Sequence, residues 1–350
     1  MSKNNPDYYG WDIGGAHLKL VIVSGNGEIS RIKQYPTPLW QGLEVLRSRL
    51  SENQHQGAEL PRHHALTITG ELSDLFRNRQ AGVESLLTEF AGIFQDEKIE
   101  VYAGNAGLLP LETAIEHFDQ VASANWHATA SYLCTQQPDF VLMDIGSTTT
   151  DLILAAHGDI LNRAYSDQER LAEGGLVYTG LTRTPVMAVV QEVEFAGQRQ
   201  AVMAELFATM ADVYRITGEL DPGKDLMPTA DGADKSLPSS GRRLARMLGT
   251  DFDEEEPGED LRMVAEYIAD QQLQLIEQKL DHLLELHGMQ KEVEIIGAGA
   301  GRMLAEKIAN RKAYMYTDMD TLLGFSAPEF SGLADCAAAF AVAQLARIKK

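Results

Sequence analysis

The chain is short of three things. It has two cysteines, Cys134 and Cys336, far apart among 350 residues. Two thiols so spaced make neither a disulfide framework nor a thiolate metal site, and they suit a reducing cytoplasm. Positive charge is scarce: 30 Lys and Arg stand against 51 Asp and Glu, a net charge of −21. That balance excludes broad attraction to nucleic acid or to an anionic membrane. An anionic ligand therefore needs local cations, a metal ion or backbone amides. Long apolar runs are missing too. Residues 1–10 are polar with no signal-peptide core, and the apolar stretch 334–345 is too short for a span and carries Asp335 and Gln344. The class that remains is a cytoplasmic α/β protein long enough for two domains.

Two stretches stand out from this background. The first runs Val141 to Leu154, with apolar runs on either side of Asp144-Ile145-Gly146-Ser147-Thr148-Thr149-Thr150-Asp151. The runs read as strands and the polar turn as a loop between them. Gly146 permits close backbone approach, and Ser147, Thr148, Thr149 and Thr150 supply hydroxyls and amides for phosphate oxygens. Asp144 and Asp151 suit a hard cation such as Mg²⁺. The plainer reading is a β-hairpin with a polar tip. A second copy favours the functional one: Asp12-Ile13-Gly14-Gly15-Ala16-His17-Leu18-Lys19 repeats the Asp-Ile-Gly turn and its following strand. Lys19 aligns with Asp151. Matched hairpins imply two related halves with a ligand held between them.

Along the chain, strands are expected at 8–13, 18–23 and 28–35, a helix at 39–50, a polar loop at 51–62, and a strand at 65–69. His63 and His64 read as exposed rather than as metal ligands, since no third ligand follows at metal-site spacing. Glu71 and Asp74, after that strand, read either as acids of the next helix's first turn or as ligand-lining groups. Further elements are a helix at 83–94, a strand at 99–102 and a helical region at 113–133. Within that region Trp126 reads as core, while Asn125 and His127 are placed toward a ligand. The loop 174–186 carries Arg183 among Thr182 and Thr184, a combination suited to clamping phosphate. Residues 200–214 read as a small-residue helix. Residues 217–240, with Asp231 in Thr229-Ala230-Asp231-Gly232, read as a lid or a disordered stretch. Residues 262–287 form a long amphipathic helix. A strand at 292–296 precedes Gly297-Ala298-Gly299-Ala300-Gly301 and a helix, an arrangement that offers amides to an anion. The last helix, 334–346, is rich in alanine and is expected to return to the first half.

Two Asp-Ile-Gly hairpins, a late glycine-rich turn and a small-residue C-terminal helix resemble the actin, sugar kinase and heat-shock ATPase superfamily. The motifs at 144–151, 178–185, 69–74, 124–127 and 229–232 resemble, more narrowly, hydantoinase/oxoprolinase-related proteins linked to tetrahydromethanopterin one-carbon transfer. The resemblance implies a two-domain actin-like ATPase (ribonuclease H-like) fold. The first domain would span 1–139 plus 331–350. The second would span 140–330, with a helical insertion at about 187–290. It further implies a transferase of methylofuran biosynthesis. Such an enzyme joins an aminomethylfuran carrying a methyl diphosphate to the phenol of glutamyl-tyramine, or a tyrosine analogue, and releases diphosphate. On that reading Asp12 and Asp144 hold Mg²⁺. Lys19, Arg183 and the Ser147–Thr150 donors receive the diphosphate, with Gly14, Gly15, Gly146, Gly297 and Gly299 lining it. Asp151 or Asp231 takes the phenol proton, and Trp126 with Asn125 faces the acceptor. Ala16-His17 replaces the hydroxyl residues common in kinase-like loops, which points to a donor other than ATP. An ATP-dependent kinase or hydantoinase-type hydrolase is the competing reading. The expected partners are small molecules, with no nucleic acid and no membrane; a homo-oligomer is left open.

Overall fold

A computed structural model describes residues 6–54, 62–289, 293–330 and 332–349. Most of the loop expected at 51–62, and the start of the strand expected at 292, lie outside the described residues. The chain divides into two compact units. One comprises 1–140, 153–169 and 318–350; the other comprises 141–152 and 170–317. Residues 153–169, which the sequence assigns to the second half, thus group with the first.

The first unit is built on a sheet of β1 (Asp7–Gly14), β2 (His17–Val23), β3 (Ile29–Pro36), β4 (Arg62–Thr69), β5 (Lys98–Tyr102) and β6 (Leu108–Pro110), in the order β3-β2-β1-β4-β5-β6. β1 to β3 form an antiparallel meander, and β1, β4 and β5 run parallel. A parallel centre is covered on both faces, so β1 and β4 are buried at six consecutive positions instead of alternating. His63 and His64 are therefore interior residues, not exposed ones as the polar flank suggested. His64 Nδ1 accepts from Trp11 Nε1 at 2.9 Å, and its Nε2 lies 2.6 Å from Glu97.

The alanine-rich helix Ala337–Ile348 packs on β1 and β2. The approach is close: a Cβ at Gly10 would lie 1.9 Å from the carbonyl oxygen of Ala339. Small residues on the helix and glycine on the strand are what permit it. The helical region expected at 113–133 is broken into Leu111–Glu116, Phe118–Val121 and Asn125–Cys134. Ser123, at the last break, has φ +54, a left-handed backbone that few non-glycine residues adopt.

The second sheet contains β7 (Phe140–Ile145), β8 (Thr150–Ala156), β9 (Asp159–Ile160), β10 (Leu176–Val177), β13 (Glu294–Ala298) and β14 (Met315–Asp318), with β11 (Glu192–Phe195) and β12 (Gln198–Ala201) forming a separate hairpin. Its order is β10-β8-β7-β13-β14, with β9 on β8 and with β7 and β13 parallel. Both sheets thus join an antiparallel hairpin to parallel strands, and the fold is the two-domain actin-like ATPase fold.

Two expectations for the insertion fail. The helix expected at 200–214 is instead the end of β12, an irregular stretch over 202–209 and a short helix, Met210–Ile216, with the β11–β12 hairpin just before it. Alternating polar and apolar side chains at Glu192-Val193-Glu194-Phe195 favour a strand. Ala196 and Gly197, at φ +51 and +74, turn it. A reciprocal cap between Thr209 and Asp212 then starts the helix. Of the two alternatives for residues 217–240, a lid or a disordered stretch, the second fails, because side-chain bonds tie the segment down. Arg215 donates to Asp225 at 2.7 Å, and the Lys235 ammonium donates to the Asp225 carbonyl at 2.6 Å. Fully buried Arg243 bonds Asp212 at 2.8 Å and Asp231 at 3.1 Å. Among the described residues no helix is long and apolar enough to cross a membrane.

Candidate functional site

In the second unit, β7 ends at Asp144-Ile145 and the chain turns through Gly146–Thr149 into β8. The turn closes on itself, Gly146 N–H donating to Thr149 O at 2.8 Å. The loop after β10 lies directly on it. Leu181 N–H donates to Gly146 O at 2.9 Å, and Arg183 N–H donates to Ser147 O at 2.9 Å. The Thr182 amide reaches the same oxygen at 3.2 Å. Contact is tight enough that a Cβ at Gly180 would sit 2.6 Å from both Gly146 O and Thr148 N. Thr150 Oγ1 donates to Thr179 O at 2.8 Å. This lacing turns the Arg183 side chain inward, and its Nη1 donates to Thr148 Oγ1 at 3.1 Å. Burial is the main influence on the guanidinium and pulls its pKa below the usual value.

The long helix Glu259–His287 supports the second of these loops from behind. Buried Gln272 donates to Thr179 Oγ1 at 2.7 Å and to Gly180 O at 2.8 Å, while its own oxygen accepts from Tyr214 at 2.6 Å. A buried amide satisfied on both ends holds one orientation. Sequence reading passed over Gln272, because nothing local distinguishes a glutamine in an amphipathic helix.

The glycine-rich turn packs closely on the protein itself. A Cβ at Gly297 would lie 2.3 Å from Tyr316 Oη. One at Gly299 would lie 2.4 Å from Asp144 Oδ1, and one at Gly301 would lie 2.6 Å from Ile145 Cγ2. The Gly301 amide donates to Ile145 O at 2.7 Å. These glycines let the turn press against the end of β7. That amide is accordingly spent on the protein, and the turn defines the space beside the half-buried Asp144.

Asp151 and Asp231 are corrected as proton acceptors. Asp151 accepts from Arg170 Nη2 at 2.6 Å, and the same nitrogen reaches Gly175 O at 3.0 Å, all in a buried setting. A carboxylate held in such a pair is structural: removing either partner strands a buried charge. Asp231 is exposed and caps its own loop through the Ala233 amide at 3.1 Å, while Arg243 and Arg246 each bond it at 3.1 Å. What desolvation it suffers pushes its pKa up, but that amide and those cations outweigh it and hold the group low, which makes it a poor base.

In the first unit, Asp12 and Lys19 face each other across β1 and β2 and form an ion pair at 3.4 Å. Gly14 and Gly15 make the turn between them, covered by the next segment through Leu39 N–H to Gly15 O at 3.0 Å. Lys19 thus already neutralises Asp12, which makes that carboxylate less suited to a metal ion. Among the described residues no three His, Cys, Asp or Glu side chains converge on a metal position. A cation that completes its shell with water and phosphate oxygens does not require such a cluster.

A cavity of about 600 Å³ lies within the first unit. Its lining includes Asn105, Trp126, His127, Ser131, Arg163 and Tyr165. Trp126 is 1% exposed, so it is core, as read from the sequence. Its ring meets His127 edge-on at 5.2 Å and Tyr165 at 5.8 Å. His127 Nδ1 lies 2.8 Å from Tyr102 Oη, and its Nε2 lies 3.1 Å from Asn105 Oδ1. Asn125 opens the helix Asn125–Cys134, and its carbonyl accepts from Thr129 at 3.2 Å. The same unit holds a polar cluster of which only Glu71 was singled out in the sequence. Ser123 Oγ is 2.8 Å from Glu71 Oε1 and 3.1 Å from Asp167 Oδ2, and Arg79 donates to Asp167 Oδ2 at 2.6 Å. Burial raises the Glu71 pKa to about 7.

Known proteins resemble this chain over most of its length. The hydantoinase/oxoprolinase family matches residues 62–346. A relative from Methanocaldococcus jannaschii is 30% identical over 291 residues, 83% of this chain and 85% of that one. It is named (4-{4-[2-(γ-L-glutamylamino)ethyl]phenoxymethyl}furan-2-yl)methanamine synthase. A protein of the same name from Methanococcus vannielii is 28% identical over 159 residues, 45% of this chain and 70% of that one. Among solved structures, nucleotide-free acetone carboxylase superposes with a TM-score of 0.53 at 10% identity, covering 97% of this chain and 70% of that one, a likeness of fold alone. By the family match over that span and the identity to the first relative, the chain belongs to the hydantoinase/oxoprolinase family, in the group of the furan-methanamine synthases.

Proposed function

We propose that this chain is a transferase of methylofuran biosynthesis. It would join an aminomethylfuran carrying a methyl diphosphate to the phenol of γ-glutamyl-tyramine, or of a tyrosine analogue, with release of diphosphate. The observation that carries the reading is the lacing of the 178–184 loop onto Gly146–Thr149, which sets Arg183 against Thr148. In a chain of net charge −21, a half-buried guanidinium among fixed hydroxyls is suited to an anionic leaving group. The name of the 30%-identical relative supports the identity of the two substrates.

In the reaction, the bond between the furylmethyl carbon and the diphosphate oxygen breaks, and the phenol oxygen forms the new ether bond to that carbon. The furan ring oxygen feeds electrons to the carbon as the leaving group departs. Arg183, Thr148 and the Ser147 hydroxyl would stabilise the charge that gathers on the diphosphate. Their positions are fixed beforehand by Gln272 and the backbone bonds, so little reorganisation is needed as charge develops. Mg²⁺ would be held by Asp144 with diphosphate oxygens, and would supply further neutralisation of that charge.

Purified protein incubated with a furylmethyl diphosphate and γ-glutamyl-tyramine, with and without ATP, tests the reading by product mass. Ether and free diphosphate formed without ATP are expected. Product that forms only with ATP, together with ADP, would identify an ATP-dependent enzyme and overturn it.

A further inference from the structure

The cavity of about 600 Å³ in the first unit has the size that small organic molecules occupy, and the diphosphate chemistry makes no use of it. We propose that it is a binding site for a free aromatic α-amino acid. The ring enters the cavity, while the ammonium and carboxylate stay at its opening, on Asp159 and Arg163. This site lies within one unit and is independent of the synthase reading; no step of that reaction is assigned to it.

Three stretches of the first unit supply most of the walls: residues 103–105, the helix Asn125–Cys134 and residues 158–165. The interior is apolar and aromatic. Ala103 and His127 are buried, and Tyr165 is half-buried. The ring of His127 lies 5.9 Å from that of Tyr165 at an angle of 59°, so the pair presents both an edge and a face. Aromatic rings favour such tilted partners. The charges lie further out. Asp159 and Arg163 line the cavity yet are exposed, so they stand where it opens. Neither side chain makes an ion pair or a hydrogen bond among the described residues, with the other or with any third group. A ligand that uses both carries a cation for the aspartate and an anion for the arginine. An ion of one sign only is repelled by one of them.

A third group is oriented by hydrogen bonds from behind. Tyr102 Oη and Ser131 Oγ lie 2.8 and 3.1 Å from His127 Nδ1, and His127 Nε2 lies 3.1 Å from Asn105 Oδ1. An amide oxygen only accepts, so Nε2 carries the hydrogen and Nδ1 accepts from a hydroxyl. With its oxygen bonded in this way, Asn105 keeps both hydrogens of its amide nitrogen for a ligand. Asn105 lines the same cavity as Arg163, and both groups donate, which suits them to one carboxylate.

The walls are set before any ligand arrives. Tyr165 Oη donates to Gln120 O at 2.5 Å, and the phenol lies so close to Gly104 that a Cβ there would sit 2.3 Å from Oη. Gly104 has φ +52, in the left-handed region that favours glycine. On the other side, β9 pairs with β8 through Ala155 with Ile160 and Ala156 with Asp159, and Asn162 Oδ1 accepts from the Leu154 amide at 2.7 Å. These bonds hold the backbone that carries Asp159 and Arg163. A site that needs no rearrangement loses little affinity to ordering.

Calorimetry on the full chain with three probes tests the site: L-phenylalanine, phenethylamine, which lacks the carboxylate, and hydrocinnamate, which lacks the ammonium. L-phenylalanine should bind about tenfold more tightly than either. Arg163→Gln should bring it down to the level of phenethylamine, and Asp159→Asn to the level of hydrocinnamate. Both residues are exposed, so both variants should keep the wild-type Tm. Glycine, which has the two charges and no ring, should bind about tenfold more weakly than L-phenylalanine. Absence of L-phenylalanine binding overturns the proposal. So does equal binding of the three phenyl probes, or a preference for L-phenylalanine that survives both substitutions. None of these readouts involves ether formation, so failure here leaves the synthase reading standing, and a failed synthase assay leaves this site standing.

Discussion

A buried carboxyl leaves its mark on stability. Folding raises Glu71 from the usual 4.5 to about 7, chiefly by removing it from water. The folded state then binds that proton more tightly than the unfolded state does. The associated stability is complete below the unfolded value and is lost as pH rises through the folded one. Over that interval the loss approaches about 3 kcal/mol. Glu71→Gln keeps the shape and cannot ionise. Its urea midpoint should match wild type near pH 5 and exceed it near pH 8. Equal midpoints at both would show that Glu71 titrates normally. At this scale the sequence was only partly legible. Glu71 drew notice as an acid after a strand. Ser123, Asp167 and Arg79 did not, because what unites them is a backbone angle and contacts spanning 44 to 88 residues. Arg170, which claims Asp151 from 19 residues away, was likewise invisible in a helix of mixed charge.

At the level of elements, the paired loops of the second unit behave as one part. Gly180 is where they touch most closely, with three backbone atoms inside 2.8 Å of the place a Cβ would occupy. Gly180→Ala must push the 178–184 loop off Gly146–Thr149 and carry Arg183 away from Thr148. The Kd for inorganic diphosphate should rise by about tenfold, worth about 1.4 kcal/mol, while the far-ultraviolet spectrum stays that of wild type. Unchanged affinity by calorimetry would remove these loops from diphosphate binding. Here the sequence served well. Both hairpins, the Arg183 loop, the long helix and the glycine turn follow from local composition and periodicity. What it misjudged was the stretch 202–209, where alanines at helical spacing suggested a helix that starts only at Met210; and the contacts of the turn's glycines with Asp144, Ile145 and Tyr316 have no local sign.

For the molecule as a whole, the charge of −21 sets a general expectation. Like charges at this density repel one another more when compact than when spread along an unfolded chain. Raising sodium chloride from about 0.05 M to about 0.5 M shortens the screening length from over 10 Å to about 4 Å and should raise Tm by several degrees. A Tm that falls instead would mean that the ion pairs, such as Arg311 with Asp270 at 2.7 Å, outweigh the repulsion. The division into two related halves could be read from the two Asp-Ile-Gly turns. The assignment of 153–169 to the first unit could not, since it depends on where that segment packs and not on what it contains.

The helix Ala337–Ile348 lies on the first strand of the chain, and just before it Cys336 reaches the Lys33 carbonyl across 303 residues. One unit is therefore nested within the other in chain order. During synthesis the inner unit has all its strands in hand while the outer one still lacks the helix that covers its central sheet. The apolar face of β1 must wait, and its shelter until then falls to whatever holds nascent chains.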